Sequence, residues 1–148
     1  MFSKITAKTK VVAAAIISGT STASLTETDA AQTATGALTA TDVDSSAAFT
    51  VQSDVAGSNG YGKFSIDATG AWTYTMNGAH NEFAAGTSYT DTTTVKNVDG
   101  TTQLVTVHIA GTNDAAVITG DTSKSLTETN AALTTSGKLT ATDVDSSN

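Results

Sequence analysis

No cysteine, no proline and no arginine occur among the 148 residues. Without cysteine there is no disulfide framework and no thiolate metal site. A fold built from this chain must be stabilised by its core or by bound ions, and the lack is compatible with export. Without arginine, seven lysines face fourteen acids, for a net charge of −7 and a pI of about 4.4. That balance argues against DNA or RNA as a partner, because both demand a basic surface. It favours solubility, cations and poor adhesion to anionic lipid. Charged residues make up only 14% of the chain, far below a helical or coiled-coil composition. Aromatics are scarce at 5%, yet 39% apolar residues still permit a modest sandwich core. No apolar run approaches the roughly 20 residues that span a bilayer.

What the chain does have is threonine, alanine, serine, glycine and aspartate, and a stretch written twice. Ile17 to Ser46 returns as Ile118 to Ser147, at a constant offset of about 101 residues and with roughly two positions in three identical. Ser24-Leu-Thr-Glu-Thr28 becomes Ser125-Leu-Thr-Glu-Thr129, and Leu38-Thr-Ala-Thr-Asp-Val-Asp-Ser-Ser46 becomes Leu139-Thr-Ala-Thr-Asp-Val-Asp-Ser-Ser147. A gapless repeat of this period is a domain-sized unit, one bead of an array. The organisation expected is an N-terminal segment over 1–14, a complete bead over 15–114 and the start of a second over 115–148. The N-terminal segment carries Lys4, Lys8 and Lys10 before an apolar run, Val11 to Ile17. It reads either as a secretory signal or as an unrelated start leading into the first strand of the bead.

Alternation at period two is the commonest pattern along the chain. Phe64 and Ile66, then Trp72, Tyr74 and Met76, flank Asp67-Ala-Thr-Gly70, a hairpin signature. Tyr89 to Lys96 and Gln103 to Ala110 flank Asn97-Val-Asp-Gly100, a second hairpin with Val105, Val107 and Ile109 on one face. About seven short strands separated by turns predict an all-β Greek-key sandwich of the cadherin or immunoglobulin type. Its expected core is Phe64, Ile66, Trp72, Tyr74, Val105, Val107 and Ile109. One helical turn is expected around Glu82 to Ala85. The partial second bead lacks the aromatic hairpin, so it should be frayed or docked on the first.

Ile17-Ser-Gly19, Leu25-Thr-Glu27, Gly36-Ala-Leu-Thr-Ala-Thr-Asp-Val-Asp-Ser45, Gly60-Tyr-Gly62, Gly70-Ala-Trp-Thr-Tyr74, Asp99-Gly100 and Ile109-Ala-Gly-Thr-Asn-Asp114 follow one another in that order. Taken together they resemble the VCBS repeat family, the cadherin-like beads of very large secreted bacterial proteins of the RTX adhesin type. The resemblance implies a structural tandem-repeat module of a secreted or cell-surface adhesin, with roles in attachment and biofilm. Its partners would be the neighbouring repeats of the same chain, with surface glycans, host or abiotic surfaces met through other domains.

The acids suggest what the seams between beads do. Asp42 and Asp44, and their copies Asp143 and Asp145, stand two apart around a valine, so two carboxylates at a strand end can share one hard cation. Calcium takes six to eight oxygens from carboxylates, amides and backbone carbonyls. Asn113-Asp114 offers such oxygens at the seam, and Glu27 another near the start of a bead. Two carboxylates about 5 Å apart repel by about 3 kcal/mol at an effective dielectric of 20, so a cation would stiffen what the charges splay. The cadherin-like resemblance implies one junction of Glu27, Asn113, Asp114, Asp143 and Asp145, with Asp42 and Asp44 serving an upstream junction. The competing reading is that these acids only cap turns.

Other chemistry is poorly represented. His80 in a loop and His108 on a polar strand face form no metal-ligand spacing. Gly60-Tyr-Gly62 has no helix after it to receive a phosphate. No Ser-His-Asp or paired-carboxylate arrangement stands out, so no enzyme is expected. The alternative function is a carbohydrate-binding β-sandwich, which would need Trp72 and Tyr74 exposed for stacking on a sugar.

Overall fold

A computed structural model of the chain describes residues 12–146, which contain ten strands and no helix. The lysine-bearing segment up to Val11, read above as signal or unrelated start, lies outside the described residues. The apolar run enters the fold as β1 (Ile16–Gly19), which continues into β2 (Thr22–Thr26) after a bend. Gly19, at φ 106°, makes the bend, and the Trp72 indole donates across it to the Thr20 carbonyl at 2.7 Å. A side chain at Gly19 would collide with the Ala37 carbonyl oxygen, so the bend belongs to glycine on two counts.

Six strands complete the bead: β3 (Thr33–Thr41), β4 (Gln52–Ala56), β5 (Gly62–Ile66), β6 (Ala71–Met76), β7 (Ser88–Lys96) and β8 (Thr102–Ala110). They form a five-stranded sheet in the order β1-β3-β6-β5-β4 and a three-stranded sheet in the order β2-β8-β7. The meander β4-β5-β6 with β3 returning beside β6 is the Greek key. Every pairing in the bead is antiparallel except β2 with β8, where Thr22 to Thr26 run alongside Thr106 to Ala110. The expected seven strands become eight because the first is split between the two sheets.

The alternation read from the sequence decides what is inside. Phe64, Ile66, Trp72, Tyr74, Val105, Val107 and Ile109 are all buried between the sheets, joined by Leu38, Phe49, Met76, Phe83 and Val95. Each large side chain buried there contributes about 1.5–3 kcal/mol. β4 lies at an edge and carries a bulge between Gln52 and Val55, with Asp54 at φ 53°. A bulged, polar edge resists pairing with another chain.

The crossing from β6 to β7 contains no helical turn. Two hydrogen-bonded turns, Phe83 N to the His80 carbonyl at 2.9 Å and Thr87 N to the Ala84 carbonyl at 3.1 Å, take its place. His80 at φ 61° and Gly86 at φ 77° break any helical continuation. The turns drive Phe83 into the core, stacked on Tyr89 at 3.8 Å between ring centres.

The second copy keeps the hairpin of the first but none of its surroundings. β9 (Val117–Gly120) pairs antiparallel with β10 (Leu139–Thr142), Ile118 opposite Ala141 just as Ile17 stands opposite Ala40. Every residue of β9 and β10 is exposed, and residues 121–138 form no strand. At the seam the second copy touches the bead through Asp114 and Asp145.

Candidate metal centre

Glu27 follows directly on β2, where its backbone N–H donates to the Ala110 carbonyl at 2.8 Å. That bond ties the end of β2 to the end of β8 and turns the glutamate side chain inward, leaving it 1% exposed. Its Oε2 accepts hydrogen bonds from the Thr112 hydroxyl and, at 3.3 Å, from the Thr112 N–H. Its Oε1 is buried with no hydrogen-bond partner. A buried carboxylate oxygen without a donor is costly unless something positive completes it.

Two residues on, Asp114 N–H donates to Asp145 Oδ2 of the second copy at 3.2 Å. Asp114 Oδ2 and Asp145 Oδ1 are also buried without partners. The Asp114 carboxyl is held above the ordinary aspartate range, first by loss of solvent, then by contact with Asp29 and by the charges of Glu27, Asp29 and Asp145. Asp114 therefore feels three other acids, from two other segments of the chain, at this seam. Calcium chemistry suits such a donor set, all oxygen and mostly carboxylate. Among the described residues, no group of three or more His, Asp or Glu side chains stands close enough to hold a metal ion as placed. An ion would have to draw the carboxylates inward.

Of the expected junction residues, Glu27, Asp114 and Asp145 meet in this way. Asp143 sits beside Asp145 but turns into its own loop. Its Oδ1 accepts the Asp145 N–H at 3.4 Å, and hydrogen bonds from Ser146 and the Asp145 neighbourhood hold its carboxyl below the ordinary range. The Asn113 side chain is turned to the Asp114 carbonyl, to which it donates at 2.7 Å. Asp29 was not foreseen. Thr28-Asp29-Ala30 reads as a solvated turn, and only the meeting of that turn with the linker after β8 brings its carboxylate to Asp114.

Asp42 and Asp44 lie at the opposite end of the bead. Asp42 accepts the Asp44 and Ser45 N–H groups, both at 2.9 Å, and the Ser45 hydroxyl at 2.6 Å. These bonds, the Ser45 hydroxyl foremost, pull its carboxyl far below the ordinary range. Here the turn-capping reading describes Asp42 well. Asp99, from the β7–β8 turn, contacts Asp42 and accepts the Ala15 N–H at 2.8 Å. The two ends of the bead are built alike: Ala13 N–H donates to Asp44 Oδ2 at 3.2 Å, as Asp114 N–H does to Asp145. The difference is chemical. Val12-Ala13 occupies the positions of Asn113-Asp114, so the upstream end has no linker carboxylate.

The expected core pair Trp72 and Tyr74 is 3% and 0% exposed, which removes both as a sugar-stacking platform. No curated protein matches the chain. The family model described as a bacterial cadherin-like domain matches residues 13–111, the span from the Ala13 end of the bead to the close of β8. With that match laid over the sandwich and the acid-lined ends just described, the chain belongs to the bacterial cadherin-like domain family.

Proposed function

We propose that this chain is a structural, adhesion-type repeat module of the VCBS kind, secreted or displayed on a bacterial surface, whose seam with the following copy is stiffened by calcium. The observation that carries the reading is the set of three buried, unpartnered carboxylate oxygens, one each on Glu27, Asp114 and Asp145. They come from the end of β2, the linker and the second copy, so one ion held among them would tie two beads and their connection together. Glu27, Asp114 and Asp145 would hold it, with Asp29 and Asp143 close by and Asn113 in the linker. The ion would supply positive charge and fixed coordination directions; the chain supplies the oxygens and the hydrogen bonds that aim them. A site that must gather its ligands binds loosely, with a Kd on the order of 0.1–1 mM as in extracellular calcium modules.

Titration calorimetry of the chain with calcium, paired with small-angle scattering in calcium and in chelator, tests this. The expected result is weak binding together with a more extended particle in calcium. Glu27→Gln and Asp145→Asn should each weaken binding, whereas Asp42→Asn at the other end should leave it unchanged. Identical scattering with and without calcium would sink the stiffening role, and absence of binding would sink the site.

A further inference from the structure

Three places in the chain put glycine directly after an acid or its amide: Asn59-Gly60, Asn77-Gly78 and Asp99-Gly100. A glycine nitrogen, with no β-carbon beside it, can reach the side-chain carbonyl that precedes it unless something holds it back. Gly60 N–H donates to the Gly57 carbonyl at 3.0 Å, and Gly100 N–H to the Asn97 carbonyl at 3.1 Å. Among the described residues, Gly78 N–H has no acceptor. The two asparagines are otherwise held alike, and both are exposed. Asn59 donates its backbone N–H to Asp91 at 2.8 Å and its Nδ2 to the Thr90 carbonyl at 2.6 Å. Asn77 donates its backbone N–H to the Tyr61 carbonyl at 2.9 Å and its Nδ2 to the Gly60 carbonyl at 2.7 Å. What separates them is the glycine that follows, bound in one case and free in the other.

We propose that Asn77 is a modification site, at which the folded bead deamidates spontaneously with water as the only co-reactant. The Gly78 nitrogen bonds to Asn77 Cγ and gives up its proton, and the Cγ–Nδ2 bond breaks to release ammonia. The five-membered succinimide left behind is opened by water at either of its carbonyls. One opening gives aspartate. The other gives isoaspartate, whose main chain runs through the former side chain. Either product replaces an amide that donated to the Gly60 carbonyl with a carboxylate that cannot, and adds a negative charge. The end of β6 then loses its side-chain tie to the turn before β5. At Asn59 the same reaction must first break the Gly60 bond, and the net worth of a typical hydrogen bond slows it about two- to tenfold.

The test holds the folded chain at mildly alkaline pH, cleaves it after lysine and reads the peptides by mass spectrometry. Lys63 places Asn59 and Asn77 on different peptides, and fragmentation tells Asn77 from Asn81. The expected result is conversion at Asn77 about two- to tenfold faster than at Asn59, with the two rates converging in urea, where no turn protects either glycine. Gly78→Ala should slow the conversion by crowding the attacking nitrogen. Gly78 is not left-handed and a β-carbon there would meet nothing within 4 Å, so that variant keeps a folded bead. Conversion at Asn59 as fast as at Asn77 in the folded chain, or undiminished by Gly78→Ala, would overturn the site. An Asn77→Asp chain, standing for the aspartate product, should melt below the parent, and an unchanged melting temperature would overturn the loss of the tie.

Discussion

Asp91 is 0% exposed, yet its carboxylate sits in the hydrophobic interior beside Tyr74. Dipoles hold it. Asn59 N–H donates to one oxygen at 2.8 Å, and Gly62 N–H and the Tyr74 hydroxyl donate to the other, both at 3.1 Å. Burial first, and then the charge of Asp91, push the Tyr74 hydroxyl far above the ordinary phenol range, so it stays a donor. The carboxylate thereby fixes the loop that leads into β5, and Gly57 is required because a β-carbon there would lie 2.1 Å from it. Removing the carboxylate strands several buried donors at about 1–3 kcal/mol each, so Asp91→Ala should cost at least about 3 kcal/mol in urea unfolding. Tyr74→Phe removes one donor and leaves the rest satisfied, for about 1 kcal/mol. Only parity hinted at this residue. Asp91 shares its face with Val95, but in a run of threonines an aspartate reads as a surface acid. Its partners lie about thirty residues away in sequence, where nothing local announces them.

Elements written by local chemistry were legible, and those written by distant contacts were not. The β5–β6 hairpin was visible in Asp67-Ala-Thr-Gly70. Asp67 caps it through Thr69 N–H at 2.8 Å and Ala71 N–H at 3.1 Å, and the Thr69 hydroxyl in particular holds its carboxyl below the ordinary range. The inward faces of β6 and β8 followed from alternation alone. The split of the first strand across two sheets was hidden, because it depends on Gly19 and on an indole fifty-two residues beyond Thr20. The helical turn expected near Glu82 gave way to Phe83 being needed in the core. Duplication offers a controlled test of context at this scale. Gly36→Ala would push a methyl group into Trp72 and cost about 1–3 kcal/mol by overpacking. Gly137→Ala, the same change in the second copy, meets only the exposed Asp121, at its Cβ and its backbone carbonyl, and should leave the melting temperature of the bead unaltered. Differential scanning calorimetry of the two variants compares them directly.

At the scale of the molecule, one bead with a core is followed, among the described residues, by a copy of its opening strands whose residues stay exposed. Hydrogen exchange should divide the chain accordingly. Amides of β5 to β8 should be protected to the level of global unfolding, and those of residues 121–138 should exchange almost freely. Uniform protection across both copies would contradict this division. The acids show the same limit of reading at this scale. The Asp-Val-Asp motif marked both ends of the bead, but the partners Asp29 and Asp99 emerged only once the chain had closed on itself. The parallel pair of β2 and β8 has one more consequence, a mechanical one. The chain approaches β1 at one end of the bead and leaves β8 at the other, so tension between Ala13 and Asp114 pulls β2 and β8 in opposite directions along their own axes. The rungs between Thr22–Thr26 and Thr106–Ala110 are then loaded together in shear rather than opened one after another. The Glu27 N–H bond to the Ala110 carbonyl sits at the very end of that ladder. Under load, this short parallel contact is the clasp of the bead, and Glu27, whose carboxylate faces the seam, is also its last rung.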